Sequence, residues 1–294
     1  MFHVRFMPSS RGQREGLRPT FIALIATLGL TLATPIFAAD LPRIASINLC
    51  TDQLLMTLAD PEQILGLSPY SRDKTRSWDA ARAAQFPRLS GEAEDVLVLK
   101  PDIVVAGRYT KHATRELLKD KGLNVTEFDV PRSMEDVRKQ MLRMGDVVKH
   151  PDRAIAEIAK LDAAIASARA VAAKKAYRVL ALSRRGWVSG SDSLTGALLA
   201  AVGLNSAAKD LGLRGGGFAS LEVIVAARPD FLLLSEGDNF AEDEGRAFLL
   251  HPALQGFYPP SKRLVIPERL VNCGGPMLAE ALDRLAAELE RVER

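Results

Sequence analysis

Two segments of the chain, 128 residues apart, follow one pattern: Glu94 to Asp102 reads EDVLVLKPD and Glu222 to Asp230 reads EVIVAARPD. Each sets a Glu seven residues ahead of the proline of a basic-Pro-Asp triplet, and each runs on into an apolar strand, IVVA or FLLL. Arg43-Ile44 and Arg178-Val179, 135 residues apart, open a matching first strand in each half. Repetition in the same order at similar spacings, 128 and 135 residues, marks duplicated supersecondary units. The expected fold is α/β, with two similar Rossmann-like lobes.

Between the repeats lies the longest helical pattern. His150-Pro151-Asp152 opens it, and Ile155, Ile158, Leu161, Ile165, Ala168 and Ala172 share one face from Arg153 to Ala173. At 1.5 Å per residue such a helix is roughly 30 Å long, enough to cross a small domain as a strut. The expected organisation is an N-terminal lobe over 39–150, a linking helix over 151–175 and a C-terminal lobe over 176–294, with a cleft between the lobes. A chain of 294 residues, 47% of them apolar, has length and core enough for two domains of roughly 150 residues or for one long α/β domain.

Within the first lobe the pattern predicts a strand at Arg43 to Ile47, a helix from Thr51 to Ala59 with Thr51 as N-cap, and a strand at Ile64 to Ser68. A helical stretch before Pro101, a strand at Asp102 to Ala106, a helix ending at Gly122 and a strand reaching Phe128 follow. Ser133 with Asp136 resembles a capping box for a helix reaching Lys149.

The N-terminus carries Arg5, Arg11, Arg14 and Arg18 ahead of the apolar run Phe21 to Leu32, with an exit at Ile36 to Ala39. This reads as a secretory signal peptide over 1–38, whose 12-residue apolar run is too short for a membrane span of about 20 residues. Removing those four arginines and Glu15 from 39 basic and 36 acidic residues leaves 35 of each. A neutral mature chain carries no electrostatic footprint for nucleic acid and no general attraction to an anionic membrane. No Cys stands at the cleavage point, so no N-terminal lipid anchor is expected. Export sends the chain to the periplasm, an oxidising compartment in which Cys50 and Cys273 can pair. Both are expected in loops facing the cleft. Their bond would close a loop of about 220 residues, for which chain entropy gives roughly 5 kcal/mol, with two free thiols as the alternative.

Ligands of parallel α/β sheets bind beyond the carboxyl ends of the strands. The residues just after each predicted strand are Asn48, Cys50, Tyr70, Arg72, Arg108 and Tyr109 in the first lobe. In the second they are Arg184, Arg185, Trp187, Arg214 and Phe218, with Asn272 and Cys273 after the last strand. Arginine is a planar, permanent cation suited to carboxylate or catecholate oxygen, and Tyr and Trp offer flat apolar faces. Such a set fits a bulky, flat or chelate-shaped anion.

From Arg43 to about Arg291 the chain resembles the helical-backbone periplasmic binding proteins of metal-chelate ABC importers, the cobalamin, haem and ferric-siderophore group. The residues that carry the likeness are Arg43 to Asp73 (RIASINLCTDQLLMTLADPEQILGLSPYSRD), EDVLVLKPDIVVAG, the helix from Pro151 to Ala173, Val188 to Leu204 (VSGSDSLTGALLAAVGL) and EVIVAARPDFLLL. The resemblance implies a monomeric, non-enzymatic protein without a cofactor. It would hold a metal chelate between its lobes and deliver it to an inner-membrane permease driven by cytoplasmic ATPases. Tyr70 matches a cleft Tyr of cobalamin binders, and Tyr109 one of hydroxamate-siderophore binders. The tryptophans that cobalamin binders use fall on Gly107 and Gly216, and the segment near which haem binders carry an iron-ligating Tyr reads FPRLS at Phe86 to Ser90. Both departures favour a ferric siderophore, with a corrinoid as the alternative. Family members dock through an acidic residue on each lobe. Glu222 takes the second-lobe position, and Glu116 and Glu94 are the first-lobe candidates.

Competing chemistries find little support. His112, His150 and His251 lie at helix starts or in loops without a convergent ligand set and are expected at the surface, so no bare metal ion is predicted. Ser71-Arg72-Asp73-Lys74 matches the S-x-x-K of serine acyl-transfer enzymes, the one enzymatic alternative, but K-T-G and S-D-N companions are missing. Gly215-Gly216-Gly217 lacks the Lys-Ser/Thr ending of a phosphate loop and reads as a turn.

Overall fold

The computed structural model describes residues 41–173, 176–236 and 244–292. The proposed signal peptide over 1–38 and the end of the linking segment at 174–175 lie outside them. The first sheet contains β1 (Ile44–Ser46), β2 (Ile64–Gly66), β3 (Ile103–Gly107) and β4 (Val125–Phe128), all parallel, in the order β2-β1-β3-β4. Between and after these strands come α1 (Leu49–Leu58), α2 (Ala80–Ala83), α3 (Ala93–Leu99), α4 (His112–Asp120) and α5 (Met134–Val148). The strands are short, and β1 is wholly buried, as a parallel sheet covered on both faces requires.

The long helix α6 (Pro151–Ala172) opens on Pro151, where proline in the first turn has no N–H to leave unpaired. Beyond it the second sheet is built from β5 (Arg178–Leu182), β6 (Trp187–Val188), β7 (Asn205–Ser206), β8 (Gly217–Phe218), β9 (Phe231–Glu236) and β10 (Arg263–Pro267). The strand order is β10-β9-β5-β6-β8, with β7 also on β5. Pairing is parallel for β10, β9, β5 and β7, whereas β6 and β8 add an antiparallel ribbon. The helices here are α7 (Leu194–Ala201), α8 (Leu221–Ala227), α9 (Glu244–Leu249), α10 (Pro252–Phe257) and α11 (Met277–Val292).

The repeated basic-Pro-Asp triplet does the same job twice. Helices α3 and α8 both stop on a basic residue in the left-handed region, Lys100 and Arg228, each with φ 47°. The chain then turns into the next strand, and the aspartate reaches back to the first strand of its lobe. Asp102 Oδ2 accepts the Arg43 N–H and Asp230 Oδ2 accepts the Arg178 N–H, both at 2.7 Å. Each carboxylate thereby satisfies a strand-end donor that the sheet leaves unpaired.

Four local expectations need correction. Asn48, not Thr51, is the N-cap of α1, and its side chain accepts the Cys50 N–H at 2.9 Å. The Thr51 hydroxyl is drawn back to the Asn48 carbonyl at 2.9 Å, so Thr51 and Cys50 lie in the first helical turn and Cys50 is not in a loop. Asp136 does not complete the capping box: Ser133 Oγ accepts the Asp136 N–H, but the Asp136 carboxylate takes the Arg132 N–H instead. The shorter Asp side chain stands where Glu or Gln is usual. His150 is not a surface residue. Its Nε2 lies 3.0 Å from Asp60 Oδ2, beside the Arg153–Asp60 ion pair, and this anchors the start of α6 to the turn before β2.

Helix α6 is more than a strut. One apolar cluster runs from Ile44 and Leu54 through Met141 on α5, Leu161 on α6 and Leu282 on α11 to Leu264 of the second sheet. Trp78 Nε1, in the first half, donates to Glu280 Oε2 of α11 at 2.7 Å. Among the described residues no helix is long and apolar enough to cross a membrane.

Candidate ligand-binding cleft

The carboxyl ends of both sheets open into cavities that share Asn272. The larger, about 410 Å³, lies beyond β5, β9 and β10 and is lined by Ser183, Arg184, Trp187, Ser189, Thr195, Ser235, Glu268 and Asn272 with apolar neighbours. The smaller, about 120 Å³, lies beyond β3 and β4 and is lined by Asn48, Cys50, Arg108, Tyr109, Asp129 and Gln140, and across from them by Leu194, Asn272 and Cys273. Parallel strands aim their loops one way, and here both sets of loops converge on one cleft.

Of the residues singled out from the sequence, Asn48, Cys50, Arg108, Tyr109, Arg184, Trp187, Asn272 and Cys273 line these cavities. Tyr70, Arg72, Arg185 and Phe218 line neither. Phe218 stands edge-on to Trp187 with ring centroids 5.1 Å apart, and 67% of its surface is exposed. Together they form an aromatic shelf on the β6–β8 ribbon. Tyr109 and Tyr70 are likewise exposed, by 76% and 53%. Of these rings, the adjoining Trp187 and Phe218 make a contiguous exposed apolar patch, the kind of surface that marks a binding site.

The cations that follow the strands are mostly engaged. Arg108 pairs with Asp129 at 2.9 Å, Arg214 with Asp192 at 3.0 Å, and Lys111 with Glu92. Arg72 Nη2 donates to the Phe86 carbonyl at 2.6 Å. Hydrogen bonding to Asp129 raises the Arg108 pKa, and the Arg214 and Ser191 side chains hold the Asp192 carboxyl low. The cleft therefore presents paired charges rather than the bare basic surface expected from the sequence. Arg108 is 21 residues from Asp129, and the two meet only because β3 and β4 are neighbours.

Sequence reasoning missed Asp129, Gln140, Ser189, Thr195, Ser235 and Glu268. Ser235 and Glu268 sit where β9 and β10 end, so the strand-end rule that selected the others could have found them.

Cys50 and Cys273 form a disulfide with their Cα atoms 5.2 Å apart, on the wall of the smaller cavity. Two residues beyond Cys50 in α1, the Asp52 carboxyl is fully buried and hydrogen-bonded to the Ser68 N–H at 3.0 Å and Ser68 Oγ at 2.5 Å. Burial pushes its pKa up to about 7, against the lowering by Ser46 and Ser68.

Two glycines shape the walls. A Cβ on Gly107 would meet Asn48 Nδ2 at 2.6 Å, and one on Gly216, whose φ is +97°, would meet Trp187 Cζ2 at 3.0 Å. Neither position has room for a tryptophan without moving a cleft residue. Ser71 is fully buried and its hydroxyl has no partner, so the S-x-x-K nucleophile is out of a substrate's reach. Of the three docking candidates, Glu94 and Glu222 are exposed in the first turns of α3 and α8, and Glu116 pairs with Lys119 at 2.9 Å. The Ser220 hydroxyl holds the Glu222 carboxyl below its usual range.

Two parallel-sheet lobes with facing strand-end loops, one connecting helix and a cleft between them define a two-lobed binding protein of the helical-backbone kind. The chain belongs to the periplasmic binding protein family, whose model matches residues 44–259. This is a family of substrate-binding transport proteins rather than enzymes. No curated protein matches the chain. Among solved structures, the apo periplasmic heme-binding protein RhuT from Roseiflexus sp. RS-1 is 22% identical, with TM-score 0.69 over 86% of this chain and 99% of its own. The ABC-type Fe3+-hydroxamate transport system protein of Saccharomonospora viridis is 20% identical, with TM-score 0.64 over 84% and 93%. The periplasmic vitamin B12 binding protein BtuF of Vibrio cholerae is 15% identical, with TM-score 0.65 over 86% and 98%. At these identities the likeness is one of fold.

Proposed function

We propose that this protein captures a ferric siderophore in the periplasm and delivers it to an ABC permease in the inner membrane. The observation that carries the reading is the cleft itself: the exposed Trp187–Phe218 pair beside a cavity of about 410 Å³ lined by serine and threonine hydroxyls, with Tyr109 on the wall of the smaller cavity. A metal already wrapped in organic ligand presents apolar edges and peripheral oxygens to such a site, and stacking plus neutral hydrogen bonds hold it. Solved proteins of this fold include binders of heme, Fe3+-hydroxamate and vitamin B12. The crowding at Gly107 and Gly216 weighs against a corrinoid held by tryptophans at those two positions.

Asn48, Arg108 and Tyr109 would contact the ligand from one side and Arg184, Trp187 and Asn272 from the other, with Tyr70, Arg72, Arg185 and Phe218 at the rim. Glu222, with Glu94 as its repeat partner and Glu116 nearby on the first lobe, would meet basic residues of the permease. The reading includes export through removal of residues 1–38 and action as a monomer with lobes bounded at 39–150 and 176–294.

Calorimetric titration with ferric hydroxamates, ferric catecholates, hemin and cobalamin tests the ligand. Micromolar or tighter binding confined to a ferric siderophore supports the reading, and binding confined to cobalamin replaces it with the corrinoid alternative. Charge reversal of Glu94 and Glu222 together should abolish permease-dependent uptake while leaving ligand affinity intact. Unchanged uptake would remove the docking assignment.

A further inference from the structure

The carboxylate of Glu268 lines the larger cavity and, among the described residues, has neither an ion pair nor a side-chain hydrogen bond. The backbone of Glu268 is fixed at this place. The helical turn Glu268–Leu270 follows β10 directly, and the Glu268 carbonyl accepts the N–H groups of Val271 and Asn272, each at 3.0 Å. Arg184 lines the same cavity but is already engaged within the chain. The remaining polar lining is hydroxyl and amide: Ser183, Ser189, Thr195, Ser235 and Asn272.

These groups differ in what they ask of a ligand. Hydroxyls and amides both donate and accept, whereas an ionised carboxylate only accepts. A half-buried carboxylate without a partner is costly once a ligand shuts out water, unless the ligand brings a donor of its own. The cations of the first-lobe side cannot reverse this preference, because Arg108 and Lys111 are paired with Asp129 and Glu92.

From this we infer that the larger cavity is a subsite for a donor-bearing arm of the chelate, a protonated amine, which Glu268 selects. The inference rests on the ferric-siderophore reading and narrows it to neutral or cationic chelates, against the anionic class suggested by the sequence.

A matched pair of probes tests it: a ferric trihydroxamate bearing a free protonated amine, and the same chelate with that amine acetylated. Both are titrated calorimetrically into the wild-type protein and into Glu268→Gln, with a ferric tricatecholate as the anionic comparison and thermal melts to establish that the variant is folded. A charge-assisted hydrogen bond corresponds to roughly 10- to 100-fold in affinity. The wild type should prefer the amine-bearing form by about that factor, and Glu268→Gln should bind the two forms equally. Equal binding of the pair by the wild type, a preference that survives in Glu268→Gln, or tighter binding of the tricatecholate would overturn the inference while leaving the siderophore reading in place. Binding of no ferric chelate would overturn that reading and this inference with it.

Discussion

Cys50, in the first turn of α1, is bonded to Cys273, in the loop that leads into α11, so a covalent link ties the helix after β1 to the loop after β10 on the wall of the smaller cavity. The link lies beside Asn272, the residue the two cavities share. Its sequence separation of 223 residues spans most of the described chain.

Opening so large a loop raises the entropy of the unfolded chain. A Cys50→Ser, Cys273→Ser double variant should lose about 2–5 kcal/mol of stability, with the chain-entropy value of roughly 5 as the upper bound. Denaturant unfolding of the oxidised wild type, the reduced wild type and the variant checks this. The last two should coincide, and thiol labelling of the oxidised wild type should find no free cysteine.

Gly107→Ala should disturb a site the substitution does not itself contact through charge or hydrogen bonding. The new Cβ would lie 2.6 Å from Asn48 Nδ2, and Asn48 caps α1. Displacing that cap costs about 1 kcal/mol. The melting temperature should fall and chelate affinity should drop with it. Ala at Gly122, where nothing lies within 4 Å but φ is +81°, should lower stability through backbone strain while leaving affinity unchanged.

Asp52 gives stability a pH dependence of unusual sign. Its carboxyl titrates near 3.8 in the unfolded chain and at about 7 when folded. The native state therefore holds the extra proton between those values, and stability falls as pH rises through that window. Each unit is worth about 1.4 kcal/mol, which makes the whole effect a few kcal/mol at most. Asp52→Asn cannot ionise, so its stability relative to wild type should improve from pH 5 to pH 8 in paired denaturant titrations.

The repeat was legible because the chemistry it encodes is local: a left-handed stop, a proline and an aspartate that reaches the neighbouring strand at 2.7 Å in both halves. Strand ends were legible for the same reason, and with them Asn48, Arg108, Tyr109 and Trp187. What escaped depends on elements far apart in sequence. The seam through α5, α6 and α11, the Trp78–Glu280 bond across 202 residues and the Arg108–Asp129 pair are products of packing, and no spacing announces them. Reading arginines as free cations was the main consequence, since a charge's partner is invisible until the sheet order is known.

The central claim is that a metal chelate sits against the Trp187–Phe218 shelf. Trp187 lines the larger cavity and is 39% exposed, whereas Trp78 is tied to Glu280 and packs on the main core cluster. Titrating ferric siderophores into the wild type, Trp187→Phe and Trp78→Phe, with tryptophan emission as the readout, separates the two positions. Saturable quenching that persists in Trp78→Phe and is largely lost in Trp187→Phe is the predicted result. Quenching that resides in Trp78, or no saturable response to any ferric chelate, would contradict it.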